Sequence, residues 1–259
     1  MADDILYKVT DGIARVTFNR PQARNAFTFA MYERLAEICQ TAEQDRSIKV
    51  IVLTGAGEKA FASGTDISQF KEFKTNEDVL TYESRIDRVI GTLEKCSVPT
   101  IAAIAGACTG GGGAIAAACD LRIATANSRF GFPVARTLGN CLSMGNYARL
   151  VALIGIPRAK EIIFTARLVD ADEALRIGLV SEVLPDEAAL MVRADALAKT
   201  VANLAPLTLR ATKEAMYRLA PRIPPGEGQD LILMCYMSKD FREGLDAFLN
   251  KRTPNWQGE

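Results

Sequence analysis

The sequence predicts an α/β protein with a C-terminal helical region, on three observations. Apolar runs rich in β-branched residues alternate with amphipathic stretches through most of the chain. One such run, Lys49 to Thr54, is apolar on both faces, as in a parallel sheet. From about residue 187 onward only helical patterns remain, which places the helices of the tail apart from the alternating part.

The elements follow in order. Residues 5–10 and 13–19 alternate like paired strands across the Asp11-Gly12 turn, and Pro21 to Phe27 reads as a loop. A helix from Thr28 to Gln44 presents Met31, Leu35 and Ile38 on one face. After the buried strand, Ala60-Phe-Ala-Ser-Gly64 leads to Thr65 or Asp66, either of which can cap a short helix. Residues 74–78 read as a polar, mobile piece before a helix from Asp78 to Leu93. Strands are predicted at Thr100–Ala105, Asp120–Thr125 and Leu179–Val183, with a short apolar piece at 128–133 and a loop at 134–141. A helix from Leu142 stops at Gly155, Pro157 opens another, and Asp170 with Glu173 resembles a capping box. The last helix carries Phe241, Leu245, Phe248 and Leu249 on one face, a stripe the C-terminal piece cannot bury alone.

The uncharged stretch Val98 to Cys119 organises the rest. It reads as strand, tight turn at Gly110–Gly113 and alanine-rich buried helix. A helix that begins at bare glycines leaves backbone N–H groups unpaired, with the positive end of its dipole behind them. That suits a phosphate or an oxygen that becomes negative during a reaction. A membrane span is disfavoured by the glycines and proline, which leave few large side chains. A nucleotide loop is disfavoured because neither GxxxxGK[ST] nor GxGxxG is present. A turn that merely allows close packing stays open at this point.

Composition narrows the chemistry. Lysine plus arginine equals aspartate plus glutamate, 31 each, which gives no electrostatic footprint for nucleic acid or an anionic membrane. Six cysteines, none in CxxC spacing and several in apolar runs, read as buried thiols in a reducing compartment, with no metal site expected. Met1-Ala-Asp-Asp lacks the basic flank and apolar core of a signal peptide, so a cytoplasmic protein is expected. There is no histidine. Any catalysis therefore relies on carboxylates, backbone dipoles, hydroxyls, Lys, Tyr, Cys or water.

Several segments together resemble the crotonase superfamily of enoyl-CoA hydratases and isomerases. They are Asn19-Arg20-Pro21 with Asn25-Ala26, Lys59 to Ile67, Pro99 to Gly106 with the glycines and Cys119-Asp120, Ala166 to Val180, and Asp240 to Arg252. The resemblance implies a crotonase-like spiral of ββα units over 1–195, carrying an acyl-CoA site. It implies a helical trimerisation region over 196–259, forming a homotrimer or dimer of trimers that would cover the apolar stripe. It further implies that the backbone N–H groups of Thr65 and Gly111 hold a thioester oxygen as an enolate forms, so that Thr65→Ala should be mild. Coenzyme A, as part of the substrate and not as a resident cofactor, would lie along Arg24, Ala26, Ala62, Gly64, Asp66, Ile67, Ser68 and Gly110, with Lys251 or Arg252 near its phosphates. Those cations read equally well as solvated surface charge.

The chain departs from the family where hydratases carry two glutamates: the corresponding positions are Ala114 and Val134, and neither moves a proton. Replacements are sought in the polar loop that follows, where Asn140 could orient water or an acyl substituent and Arg136 could hold an acyl carboxylate. Cys141 and Ser143 offer hydrogen bonds, and Tyr82 and Glu83 lie where some family members recruit extra groups. Against these stand a loop asparagine bonded to its own backbone, a core cysteine, an N-cap serine and a half-exposed helix face. Ser63 or Cys108 as a nucleophile lacks a histidine to activate it. The sequence thus favours a hydratase- or isomerase-like acyl-CoA enzyme with non-standard proton transfer. A decarboxylase or thioester hydrolase on the same fold is the variant, and a non-catalytic acyl-CoA or partner-binding protein the alternative of another class.

Overall fold

The computed structural model describes residues 3–220, 223–224 and 226–259; Met1 and Ala2 of the N-terminal segment, and three positions of the 196–259 region, lie outside them. Strands β1 (Ile5–Thr10) and β2 (Ile13–Phe18) are followed by a 3-10 turn (Pro21–Ala23), α1 (Phe29–Gln44), β3 (Val50–Gly55) and β4 (Ala60–Ala62). A 3-10 helix (Ile67–Glu72), α2 (Asn76–Lys95), β5 (Thr100–Ile104), β6 (Ala107–Thr109), α3 (Gly111–Ala118), β7 (Leu121–Thr125) and β8 (Arg129–Gly131) come next. Then come α4 (Val134–Thr137), α5 (Met144–Thr165), β9 (Val169–Asp170), α6 (Ala171–Arg176) and β10 (Glu182–Leu184). Helices α7 (Glu187–Ala202), α8 (Pro206–Leu219), α9 (Gln229–Tyr236) and α10 (Lys239–Leu249) close the chain.

The strands form two sheets. One has the order β1-β2-β3-β5-β7-β10 and the other β4-β6-β8-β9. In the larger sheet only the β1–β2 hairpin is antiparallel. The three middle turns, β3–β4–α2, β5–β6–α3 and β7–β8–α4, each contribute one strand to the large sheet, one short strand to the small sheet, and then a helix, which is the ββα spiral expected. The continuous apolar run of β3 now has its reason. Ile51 and Leu53 face the main core, whereas Val50 and Val52 face a second core closed by Leu190, Ala194 and Ala198 of α7.

Several local expectations are corrected. Residues 74–78 hold a capping box: Thr75 accepts from Asp78 N–H while the Asp78 carboxylate accepts from Thr75 N–H, so α2 begins at Asn76. The central stretch contains an extra strand, β6, between its first strand and its helix, because the chain turns at Gly106 before it reaches the four glycines. The 134–141 loop opens with the short helix α4. The last strand starts at Glu182, three residues later than expected, since Leu179 and Val180 close α6 by donating to Ala174 O. Gly155 breaks α5 as expected.

The C-terminal stripe is half covered by the chain itself. Phe241 is buried against Tyr236 and Phe70, Leu245 packs on the core, and only Phe248 and Leu249 remain exposed. Uncovered apolar surface lies instead on α8, which buries no residue and leaves Leu207, Met216 and Leu219 in the open.

The Pro21–Phe27 loop is pinned from within. Asn25 is fully buried; its amide donates to Ala60 O (2.6 Å) and Ala56 O (3.2 Å), and its Oδ1 accepts from Arg20 N–H (3.0 Å). Arg24 and Asn25 both adopt left-handed backbone, which asparagine tolerates better than most residues. Asn25→Ala strands these partners in the interior. It is expected to cost about 2–3 kcal/mol in denaturant unfolding, whereas a loss under about 0.5 kcal/mol would contradict the pinning role.

Candidate active site

The site is built where the loop after β4 meets the start of α3. Gly110 caps α3 with φ +52°, and Gly64, with φ +118°, faces it. A Cβ on Gly111 would lie 2.1 Å from Tyr32 Oη and 3.5 Å from Thr65 N; one on Gly112 would lie 2.2 Å from Ala62 O. The glycines are thus required by close backbone approach, so the bland packing account is true of them, and the same approach sets the backbone of Thr65 beside that of Gly111. Thr65 bridges to Phe27 as a short parallel ladder, with Phe27 N–H donating to Gly64 O and Asp66 N–H to Phe27 O. That ladder turns the Thr65 N–H outward. Among the described residues neither Thr65 N–H nor Gly111 N–H donates a hydrogen bond, and both residues are half-buried, within reach of a ligand. Two unpaired N–H groups at adjoining backbones can hold one oxygen that gains negative charge.

The Thr65 side chain has work that the sequence did not disclose. Its Oγ1 lies 2.9 Å from Tyr32 Oη and 3.3 Å from Tyr82 Oη, so one hydroxyl joins two buried phenols. Burial pushes Tyr32 up to about 12, against the opposing bond from Thr65, and raises Tyr82 likewise, so both tyrosines are neutral.

The remaining expected contacts divide. Ala62 and Gly64 are buried in the wall, Ala26 is half-buried, and Arg24 and Ser68 are exposed. The Asp66 carboxylate is already committed: it accepts from Ser68 N–H (3.2 Å), Ser68 Oγ (2.7 Å) and Arg20 (3.0 Å). Burial raises its pKa, but these bonds outweigh it and hold the carboxyl below its usual range. Asp66 also caps the 3-10 helix through Ile67 to Glu72, as expected. Arg20, which the sequence marked only as part of the Asn19-Arg20-Pro21 match, ties Asp66 to Ala26 O (2.6 Å) and so joins the two segments. Lys251 is exposed past α10, whereas Arg252 is bound to Glu243 and Asp246.

Ala114 is buried in the core and Val134 is half-buried at the start of α4; Arg136 is exposed. Ser143 is the N-cap of α5 and donates to Asp87 (2.6 Å). Cys108 is buried beneath α3 with its thiol pushed up by burial, and Cys141 is half-buried with its thiol directed to Leu231 O. Asn140 does not bond its own backbone. It donates through Nδ2 to Tyr236 Oη (3.0 Å), which in turn donates to Glu83 Oε1 (2.6 Å). Burial pushes Glu83 up to about 7, with Tyr236 opposing and Asp87 adding to the rise. Tyr236 was missed in the sequence, where it read only as part of a helix; nothing local marks it. Beside it, Phe70, Phe73, Phe241 and Tyr236 line a groove of about 340 Å³ rimmed by Lys71, Lys74 and Arg242.

Known proteins resemble this chain along its length. A family described as "Enoyl-CoA hydratase/isomerase" matches residues 8–259. A short-chain-enoyl-CoA hydratase of Clostridium acetobutylicum is 36% identical over 254 residues, covering 96% of each chain. Among solved structures, an enoyl-CoA hydratase/carnithine racemase of Magnetospirillum magneticum superposes with a TM-score of 0.81 at 36% identity, covering 100% of this chain and 97% of its own. A carnitinyl-CoA hydratase of Mycobacterium avium gives 0.85 at 29% identity over 100% of both.

The Thr65 contacts give its side chain a part in stability beside the backbone role expected of it. Alanine leaves Tyr32 Oη and Tyr82 Oη without their shared partner, at a cost of about 1–3 kcal/mol in thermal or denaturant unfolding, whereas Thr65→Ser keeps the bridge. Equal stability of the alanine and serine variants would contradict the bridging role.

Proposed function

The chain belongs to the enoyl-CoA hydratase/isomerase family, and on that premise we propose that it is an enzyme that converts an acyl-CoA thioester through an enolate held by the N–H groups of Thr65 and Gly111. The observation that carries this reading is the pair of unpaired N–H groups at backbones pressed together by glycine. Two donors fixed before the reaction stabilise charge that appears only in the transition state, and losing one typically costs about 3–4 kcal/mol. Coenzyme A is bound as part of the substrate, along the Arg24–Ala26 segment and the backbone of residues 66–68, because the Asp66 carboxylate is taken by Arg20 and Ser68. In this assignment Gly110 and Val134 border the acyl group and Arg136 stands at its outer end, with Lys251 free to meet a phosphate.

The names of the relatives suggest hydration, yet Ala114 and Val134 hold the places of the two glutamates that the resemblance assigns to hydratases. The reaction class is therefore lyase or isomerase, with proton transfer from other groups. The region 196–259 serves as the association region of a homotrimer or dimer of trimers, which works in the cytoplasm; the open apolar residues of α8 support that assignment.

Incubation with enoyl-, malonyl- and 3-hydroxyacyl-CoA esters should give turnover of at least one class. Gly111→Ala, whose Cβ meets Tyr32 Oη, should lower kcat by about 100-fold. Turnover of malonyl-CoA alone would move the reaction to decarboxylation, with Arg136 as the carboxylate's partner. Tight binding without turnover of any ester would leave a binding protein and sink the enzyme. Light scattering at micromolar concentration should give three or six chains, and a monomer would contradict the assignment of α8.

A further inference from the structure

The enolate reading leaves the proton without a carrier, and one carboxyl outside the thioester-holding residues is built for that task. Glu83 follows Tyr82 on α2, so the turn of helix whose phenol reaches Thr65 Oγ1 also carries the carboxyl. Tyr236 from α9 donates to Glu83 Oε1 at 2.6 Å, and Asn140 from the loop behind α4 donates to Tyr236 Oη at 3.0 Å. Three segments far apart in sequence converge on one group. The direction of the bonds, amide to phenol and phenol to carboxylate, fixes the phenol as donor and supports the ionised form of Glu83. The other end of the amide, Asn140 Oδ1, is buried with no partner. Buried acceptors are rarely left unpaired, so this one awaits a donor such as a water or an acyl hydroxyl beside the same relay. Burial and the nearby Asp87 lift Glu83 to about 7, against the Tyr236 bond, which makes the carboxyl able both to take and to return a proton near neutrality.

We infer that Glu83 is the proton-transfer carboxyl of this enzyme, with Tyr236 and Asn140 as its positioning residues. The inference rests on the enolate reading proposed above. The Glu83 carboxylate takes a proton from the carbon next to the thioester carbonyl. The freed C–H pair forms the new C=C bond, and the carbonyl π pair moves onto the oxygen facing Thr65 N–H and Gly111 N–H. Return of a proton from the carboxyl to carbon reverses the charge movement and leaves the enzyme unchanged.

The test follows deuterium uptake at the α carbon of butyryl-CoA in heavy water by mass spectrometry, with crotonyl-CoA turnover in parallel. Glu83→Gln is expected to lose about 100-fold or more of both rates while it still binds butyryl-CoA. Exchange by the native protein should rise with pH around a midpoint near 7, because the ionised carboxyl is the base. Asp87 on α2, itself opposed by Arg149 of α5, and Tyr236 on α9 act on that midpoint; Tyr82, Tyr32 and Cys141 are neutral neighbours. Tyr236→Phe removes the bond that favours the carboxylate and should move the midpoint to higher pH, a shift that a packing role would not produce. This variant decides the matter if Glu83→Gln does not fold. Rates of Glu83→Gln within about threefold of native, or an unchanged midpoint in Tyr236→Phe, overturn the inference and leave the enolate reading standing. A native protein that neither exchanges butyryl-CoA nor turns over crotonyl-CoA overturns both.

Discussion

The close approach of two backbones, Gly64–Thr65 and Gly110–Gly111, is the constraint on which the rest depends. It tolerates no side chain on the helix side: a Cβ on Gly111 would fall on the Tyr32 hydroxyl, and one on Gly112 would enter the Ala62 carbonyl. The architecture on either side serves to maintain it. The small sheet sets β4 beside β6 and β6 beside β8, which brings both backbones to one edge. From the other side Asn25 pins the 20–27 loop to Ala56 O and Ala60 O, and Arg20 ties it to Asp66 beside Thr65. Because helix α3 begins without side chains, its first N–H groups stay open, and the dipole behind them adds to their pull on negative charge.

Around that pair, the proposed reading places the proton chemistry away from the positions that the resemblance assigns to hydratase glutamates. The two positions in question are Ala114, buried in α3, and Val134, at the start of α4. In their stead the wall is made of phenols: Tyr32, Tyr82 and Tyr236, with Phe70 and Phe73 between them. Burial beside these rings raises the pKa of a carboxyl, as it does for Glu83, although the Tyr236 bond opposes the rise. The proposed catalyst therefore keeps the means of stabilising an enolate and changes the means of making one.

Much of this was legible from the sequence because it depends on local pattern. The ββα alternation, the Asp11-Gly12 hairpin, the start of α1 near Thr28, the caps at Asp66, Ser143 and Asp170, and the glycine-led helix all follow from spacing and turn chemistry. The Thr75 box was missed because aspartate replaces the usual glutamate at its third position, and β6 because three residues give no period. Long-range features escaped for a different reason. The Thr65 bridge joins α1 to α2, and the Glu83 relay joins α2, the 138–143 loop and α9; no single segment contains the information. Phe241 likewise read as unpartnered because Phe70, which covers it, lies 171 positions away in the short helix after Asp66.

The most direct test of the central claim looks at the bond being polarised. Crotonyl-CoA labelled with ¹³C at the thioester carbonyl, bound to the native protein, can be followed by difference infrared spectroscopy. Two N–H donors from Thr65 and Gly111 predict a carbonyl stretch shifted to lower frequency than in free solution, with the shift reduced in Gly111→Ala. A bound carbonyl whose frequency matches that of the free ester would contradict the account.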